Sequence, residues 1–448
     1  MTTWSRRLPH VSIVVLVALV ALANQFAGDA QGPGDAREPL PAAPPAAVGF
    51  SEERLTRLDA RMKRFVDEGQ HAGIVMLVAR KGRVVDWRAW GQRDVARQLP
   101  MEKDTIFRIY SMSKIITGVA VMALHEEGRI KLDDPVAMYL PALQRVKVFK
   151  GGTAAAPVVV PARTPITIKH LLTHTSGFIY GFGNGPLDKI YDSSDAFEAT
   201  SMDEFVARAV KLPLAHEPGQ RFSYGINSDI LGAVVEKVSG KKFEDFVDER
   251  ICRPLGMRDT GFDVPREKMN RLAIVYQHSK PAAGTTNGGQ PGPASAGRFV
   301  ESKPAASSYA EKGRGIAAGG SGMFSTIGDY ARLAQMLLNY GELDGARILG
   351  RKTVELMTAN HLNHLPRVTN EFSNSDGYGL GVGVRVDLAK GNELGSVGQF
   401  GWSGAATTTV NIDPREQLVA LVFAQHMPYN EHDLFWNFKT LVYQALVE

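Results

Sequence analysis

Three short stretches of the chain carry residue types that could do chemistry together. In "SMSK", Ser111 stands three residues ahead of Lys114 at the head of the apolar run "IITGVAVMALHEEG". Positions three apart share a helix face, so the lysine amine is placed to reach the serine hydroxyl. A serine is a poor nucleophile until a base takes its proton, and a lysine can be that base when desolvation lowers its pKa. At a helix start the serine also meets the positive end of the dipole and free backbone N–H groups, which suit a developing oxyanion. In "FSYGINSDILG", Tyr224 lies between a Pro-Gly turn and a helix. A phenol beside an ammonium has its anion favoured and can relay a proton. In "GWSGAATTTV", Trp402, Ser403 and Gly404 open a strand. The glycine lets a substrate approach the strand edge, and the N–H of Ala405 is a candidate second oxyanion donor.

Taken singly, each pattern recurs by chance; a core tyrosine and a plain hairpin are the bland readings of the second and third. Other constellations weaken on inspection. "HLLTH" spaces His170 and His174 as a metal pair, but no H-E-x-x-H glutamate or third ligand accompanies them, and "HLNH" (His361, His364) is equally bare. No metal and no cofactor are expected. The "AAGGSG" run around Gly319 and Gly320 lacks the G-K-[ST] of a phosphate loop, so close backbone packing near a cleft is the better reading. No G-x-S-x-G elbow is present, which argues against an α/β-hydrolase. Cys252 is the sole cysteine, which excludes an intramolecular disulfide; its helical setting suggests a buried structural thiol.

The elements that must position these residues follow from periodicity. "SEERLTRLDARMKRFVDE" from Ser51 is an amphipathic helix behind a serine cap, and "AGIVMLVARKGRVVDWRAWG" is a strand pair turning at Lys81 and Gly82. A helix ends at Gly128, and further helical patterns fill the middle around 169–172, 202–211, 229–238, 243–252 and 329–340. "ATTTVNIDP" and "QLVALVFAQ" read as strands, and the chain closes on an amphipathic helix from Asn430. Strands at both ends and helices between predict an α+β fold. One antiparallel sheet is flanked by N- and C-terminal helices beside a mostly helical lobe, with the site in the cleft. The sheet lobe would span about 51–110 and 315–448, and the helical lobe about 111–314. The Gly/Pro/Ser-rich stretch Ser279–Phe299 and the shorter "GGTAAAPVVVPAR" read as mobile loops.

At 448 residues and 44% hydrophobic content the chain can build a large core, and a net charge of +4 without basic clusters gives no nucleic-acid footprint. Residues 1–30 pair Arg6 and Arg7 with an apolar run of 13 residues from Val11 to Ala23, followed by small residues. That is a signal-peptide layout, short of the ~20 residues a membrane-spanning helix needs. It predicts a periplasmic or secreted protein without stable membrane insertion after cleavage; an uncleaved N-terminal anchor is the alternative. Residues 31–50, rich in proline and alanine, read as a linker before a domain at 51–448.

Together, "SMSK", "FSYGINSDILG" and "GWSGAATTTV", with "TIKHLLTHTSGF", "ERICRPLGMRDTGF" and "AAGGSGMFSTIGDYARLAQMLLN", resemble the serine β-lactamase and penicillin-binding-protein superfamily. The similarity runs from about Ser51 to the C-terminus and is greatest to its class C-like branch with the family VIII carboxylesterases. It implies Ser111 as the acylated nucleophile, Lys114 as its motif lysine and Tyr224 as the second-motif tyrosine. Two positions depart from the pattern. Where Y-x-N needs asparagine the chain has Ile226, with Asn227 one residue on as the candidate substrate-amide contact; and Trp402-Ser403-Gly404 replaces K-T-G. Tryptophan cannot hold a substrate carboxylate as lysine does, so an uncharged ester of a small or medium acyl group is the expected substrate. The alternatives are a β-lactamase or D-amino-acid-specific peptidase, an acyltransferase of the same fold, or a non-catalytic protein that binds peptidoglycan or penicillin.

Overall fold

A computed structural model describes residues 1, 38–279, 298–303, 310 and 315–448. The expected signal segment, and most of the loop expected at Ser279–Phe299, lie outside the described residues. Residues Pro39–Glu448 form one compact unit.

The N-terminal helix α1 (Glu52–Asp67) starts where the Ser51 hydroxyl accepts the Arg54 N–H at 3.3 Å. It buries Leu55, Leu58, Met62 and Phe65 on one face, each contributing about 1.5–3 kcal/mol. Strands β1 (Gly73–Arg80) and β2 (Arg83–Asp94) then form a hairpin, extended at its edge by β3 (Leu99–Pro100). Five strands come from the far end of the chain: β4 (Asp376–Tyr378), β5 (Gly383–Arg385), β6 (Phe400–Gly404), β7 (Thr408–Asp413) and β8 (Leu418–Phe423). The sheet order is β4-β5-β6-β7-β8-β1-β2-β3. It is antiparallel throughout, and β1 and β8 join the two chain ends from Val75↔Phe423 to Arg80↔Leu418.

All eight residues of β1 and all six of β8 are buried, so both sheet faces are covered. Period-two alternation divides them. Ile74, Met76, Val78 and Val422 pack with α1 and the closing helix α5 (Leu434–Gln444), whereas Val75, Leu77, Leu421 and Phe423 face the main core. That core contains α2 (Ser113–Glu126), α3 (Asn227–Ser239) and α4 (Ile327–Leu338). From Ser113 to Leu124 every residue of α2 is buried, which is why its lysine stands out.

Three expectations need correction. The linker read into residues 31–50 gives way, from Pro39 onward, to docked chain. Leu40 enters the main core, Val48 and Phe50 enter the second core, and Ala43 N–H bonds the Val84 carbonyl. Proline and alanine set the composition there, but three large apolar side chains decide the packing. Second, "GGTAAAPVVVPAR" supplies the return strand of an antiparallel pair, Lys147–Gly152 with Pro157–Pro161, rather than a loose loop. Phe149 N–H and the Lys147 carbonyl anchor it to Leu214. Third, Trp402-Ser403-Gly404 close a strand instead of opening one, because the chain turns through Thr407, at φ +63°, before β7 begins.

Candidate active site

Ser111 sits in a single 3-10 turn, Tyr110–Met112, that runs directly into α2. The residue before it, Tyr110, has φ +42°. That backbone is costly for a side chain with a Cβ, and it occurs where packing over-determines a sharp turn. The turn leaves Ser111 half-buried at the mouth of a cavity of 1270 Å³.

Lys114, 0% exposed, brings its Nζ to 3.3 Å from Ser111 Oγ. The same amine is 3.0 Å from the Tyr180 hydroxyl and 2.8 Å from the Gly320 carbonyl. Burial pulls this lysine down to about 7, with the Asp229 carboxylate, also buried, pulling back up. An amine lowered this far has an accessible neutral form near pH 7, and a neutral amine has two hydrogens and one lone pair. Gly320 and Tyr180 can take the hydrogens, which aims the lone pair at Ser111. Asp229 is itself held by Gly320 N–H at 2.8 Å and by the Tyr180 hydroxyl at 3.4 Å.

Glycine at 320 is required: a Cβ would stand 2.6 Å from both Asp229 Oδ2 and Tyr180 OH. At Gly319 a Cβ would stand 2.5 Å from the Ser228 carbonyl, while the Gly319 carbonyl accepts the Thr117 hydroxyl at 2.7 Å. The glycine run is thus a close-packed seam against α2 and α3, as its sequence suggested.

Tyr224, 7% exposed, reaches the same point from the turn before α3. Its hydroxyl bonds the Ser111 side chain and accepts the Trp402 Nε1–H at 2.9 Å. The phenol pKa is pushed up by burial, against the opposing pull of Ser111 and Trp402. The expectation of a favoured phenolate is therefore corrected: Lys114 lies over the Tyr224 ring, 4.6 Å from its centroid, and its charge does not offset desolvation. At rest Tyr224 is a neutral phenol. Trp402 does more than line the cavity, since its indole N–H fixes the direction of the Tyr224 hydroxyl.

Gly404 ends β6 against the turn that carries Ser111. A Cβ there would meet the Ile109 carbonyl at 2.4 Å and Thr408 Oγ1 at 2.3 Å. The exposed Ala405 follows and, with Ser111, Tyr224 and Trp402, lines the cavity. Asn227 is elsewhere. It is 0% exposed, its Oδ1 accepts the Ser176 hydroxyl, and its Nδ2 lies 2.8 Å from His174 Nδ1. A side chain enclosed in this way cannot touch a substrate amide, so the substrate-binding expectation for Asn227 is corrected to a supporting one. His174 packs on Tyr224 with ring centroids 4.7 Å apart, whereas the His170 ring accepts the Thr167 N–H that caps its own short helix. The two rings thus have separate partners. Cys252 is buried, and burial pushes its thiol up.

Tyr180 and Asp229 were not singled out by spacing. Tyr180 follows the "HTSGF" stretch without a motif of its own, and Asp229 sits five residues after Tyr224 on α3, where an acid in a first helical turn is unremarkable. Their convergence is a tertiary property.

Residues 58–444 match the Beta-lactamase family. Protein Rv1367c of Mycobacterium tuberculosis is 32% identical over 377 residues, covering 82% of this chain and 89% of that protein. Esterase EstB of Burkholderia gladioli is 34% identical over 299 residues, covering 65% of this chain and 72% of its own. Among solved structures, simvastatin synthase (LovD) from Aspergillus terreus superposes with a TM-score of 0.73 at 25% identity, over 88% of this chain and 98% of that one. The chain belongs to the Beta-lactamase family and is a serine hydrolase of the esterase type.

Proposed function

We propose that the chain is an exported esterase that cleaves uncharged esters of small or medium acyl groups through an acyl-enzyme on Ser111. The observation that carries this reading is the Lys114 amine, buried and 3.3 Å from Ser111 Oγ, beside a tryptophan where a carboxylate-binding lysine would be expected. Neutral Lys114 takes the Ser111 proton as Oγ bonds the ester carbonyl carbon. The carbonyl electron pair moves to oxygen, which the N–H groups of Ser111 and Ala405 receive. As the tetrahedral centre collapses, the C–O bond to the alcohol breaks, and the alkoxide leaves with a proton from Tyr224 that the Lys114 ammonium restores. Water then repeats the sequence in reverse.

Specificity follows from the cavity wall. Phe372 stands edge-on to Tyr224 at 5.2 Å, and Phe182 stacks on Tyr180 at 5.3 Å; both are largely exposed. Such a rim favours apolar acyl or alcohol groups. A second reading, acyl transfer to an alcohol, is favoured by the cavity's 1270 Å³, which exceeds the ~300–1,000 Å³ of ordinary ligand pockets and leaves room for an acceptor. The name of a relative, monacolin J acid methylbutanoyltransferase of Aspergillus terreus, 28% identical over 379 residues, points the same way.

Intact-mass analysis after mixing with p-nitrophenyl esters and nitrocefin tests all of this. An acyl adduct with the esters, absent in Ser111→Ala, is expected; an adduct that survives Ser111→Ala overturns the assignment. Faster product release with an added alcohol would favour transfer. Export is supported by the charged, apolar and small-residue pattern of residues 1–30, and N-terminal sequencing of the protein recovered from a periplasmic fraction tests it. Among the described residues no helix is long and apolar enough to cross a membrane.

A further inference from the structure

Four of the eleven histidines meet at a place remote from the catalytic lysine in sequence and unused by the chemistry above. His278 ends a short strand, Tyr276–His278; His426 follows β8; Glu431 and His432 lie in the loop before α5. Ligand atoms of His278, His426, Glu431 and His432 all lie within 4.8 Å of one another. Glu431 Oε2 is the hub, at 2.8 Å from His426 Nε2, 3.5 Å from His278 Nδ1 and 3.7 Å from His432 Nε2. Tetrahedral zinc holds imidazole nitrogens about 3.3 Å apart, so these separations need only small side-chain rotations.

The surroundings are those of a metal site. His278 Nε2 donates to the Gly69 carbonyl at 3.0 Å, which fixes the proton on that nitrogen and leaves the Nδ1 lone pair facing Glu431. A ligating histidine is commonly oriented by such an outer bond. Behind the cluster His71, 1% exposed, stands edge-on to His426 and His432 at 4.8 and 5.5 Å. Neither nitrogen of its ring, nor His426 Nδ1, nor His432 Nε2, has a hydrogen-bond partner among the described residues. Buried imidazole nitrogens without partners are costly, and a cation that takes the facing lone pairs removes part of that cost.

We propose that His278, His426, His432 and Glu431 bind one divalent first-row cation, with zinc suited best by three neutral imidazoles and one carboxylate. The ion is structural. It would tie the strand at 276–278 to the loop 425–433, and that loop reaches the catalytic wall: Thr407 Oγ1 donates to the His426 carbonyl at 2.9 Å and accepts Asn430 N–H at 3.1 Å, two residues beyond Ala405.

The test uses the full chain with any affinity tag removed, stripped with chelator and titrated with Zn²⁺ or Co²⁺. One equivalent should bind, with a tetrahedral cobalt absorption spectrum and a raised melting temperature. His432→Ala and Glu431→Gln, neither in the catalytic machinery, should keep ester hydrolysis while weakening zinc by more than the roughly 10–100-fold that loss of an outer-shell partner costs. Cu²⁺ paramagnetic resonance of the unaltered chain, showing three imidazole nitrogens, gives a reading that needs no variant to fold. Absence of stoichiometric zinc and cobalt binding, or binding undiminished in both variants, overturns the proposal.

Discussion

The proposed general base is set by where Lys114 is placed. Burial lowers its pKa to about 7 while Asp229 opposes the shift, so kcat/KM for p-nitrophenyl butyrate should rise with pH through about 7 and then level off as the amine loses its proton. Removing the Asp229 charge removes the opposing pull. Asp229→Asn should therefore move that limb to lower pH, and stopped-assay profiles of the two proteins check the sign; a limb that stays fixed would mean another group titrates. Ser111→Ala should cost roughly 10⁴–10⁶-fold in kcat. Trp402→Phe keeps an aromatic wall but loses the 2.9 Å bond to Tyr224, so kcat should fall about 10-fold, within the range for losing a hydrogen bond to a reacting group, with KM little changed. Ser111, Lys114, Tyr224 and Trp402 were legible in the sequence because their types and flanking patterns sit in local motifs. Asp229 and Tyr180 were not, since what marks them is a charge interaction and a hydrogen bond, respectively, with a lysine 115 and 66 residues away. Asn227 was misread for the converse reason: a nearby motif register suggested contact, and burial forbids it.

At the scale of elements, the proposed catalysis depends on the end of β6 pressing against the turn before α2. Gly404 makes that approach possible, because a side chain would intrude on the Ile109 carbonyl at 2.4 Å. Gly404→Ala should leave the helices and most of the sheet intact by circular dichroism, yet lower kcat about 100-fold, as a shift of about 1 Å in a catalytic group does. Wild-type turnover in this variant would show that the Ala405 N–H is not positioned by this contact. Periodicity, together with apolar runs, located most helices and the central strands to within a few residues, since amphipathic α1 and the continuously apolar, doubly buried β1 and β8 write their burial into the sequence. The pair at 147–161 escaped it: Gly151 and Gly152 beside a Pro- and Val-rich return strand lack an apolar alternation, and the pairing is stabilised by a neighbour, Leu214.

The whole molecule is closed by its two ends. β1 is bonded on one side to β2 and on the other to β8, so the sheet that carries Gly404 and Trp402 is incomplete until the C-terminal strands arrive. Beside this seam the segment from Pro39 to Phe50 lies across both ends of the fold: Ala43 pairs with Val84, and the Gly49 carbonyl accepts Val447 N–H. Leu40, Val48 and Phe50 are each less than 5% exposed, and at about 1.5–3 kcal/mol for each buried side chain their loss should cost about 5 kcal/mol. A chain beginning at Ser51 should then unfold at a clearly lower urea midpoint than one beginning at Pro39, with KM unchanged because no residue of the segment lines the catalytic cavity. Equal midpoints would show that the segment merely rests on the surface; a lower midpoint would make residues 39–50 part of the folded unit, in a stretch whose composition alone suggested a tether.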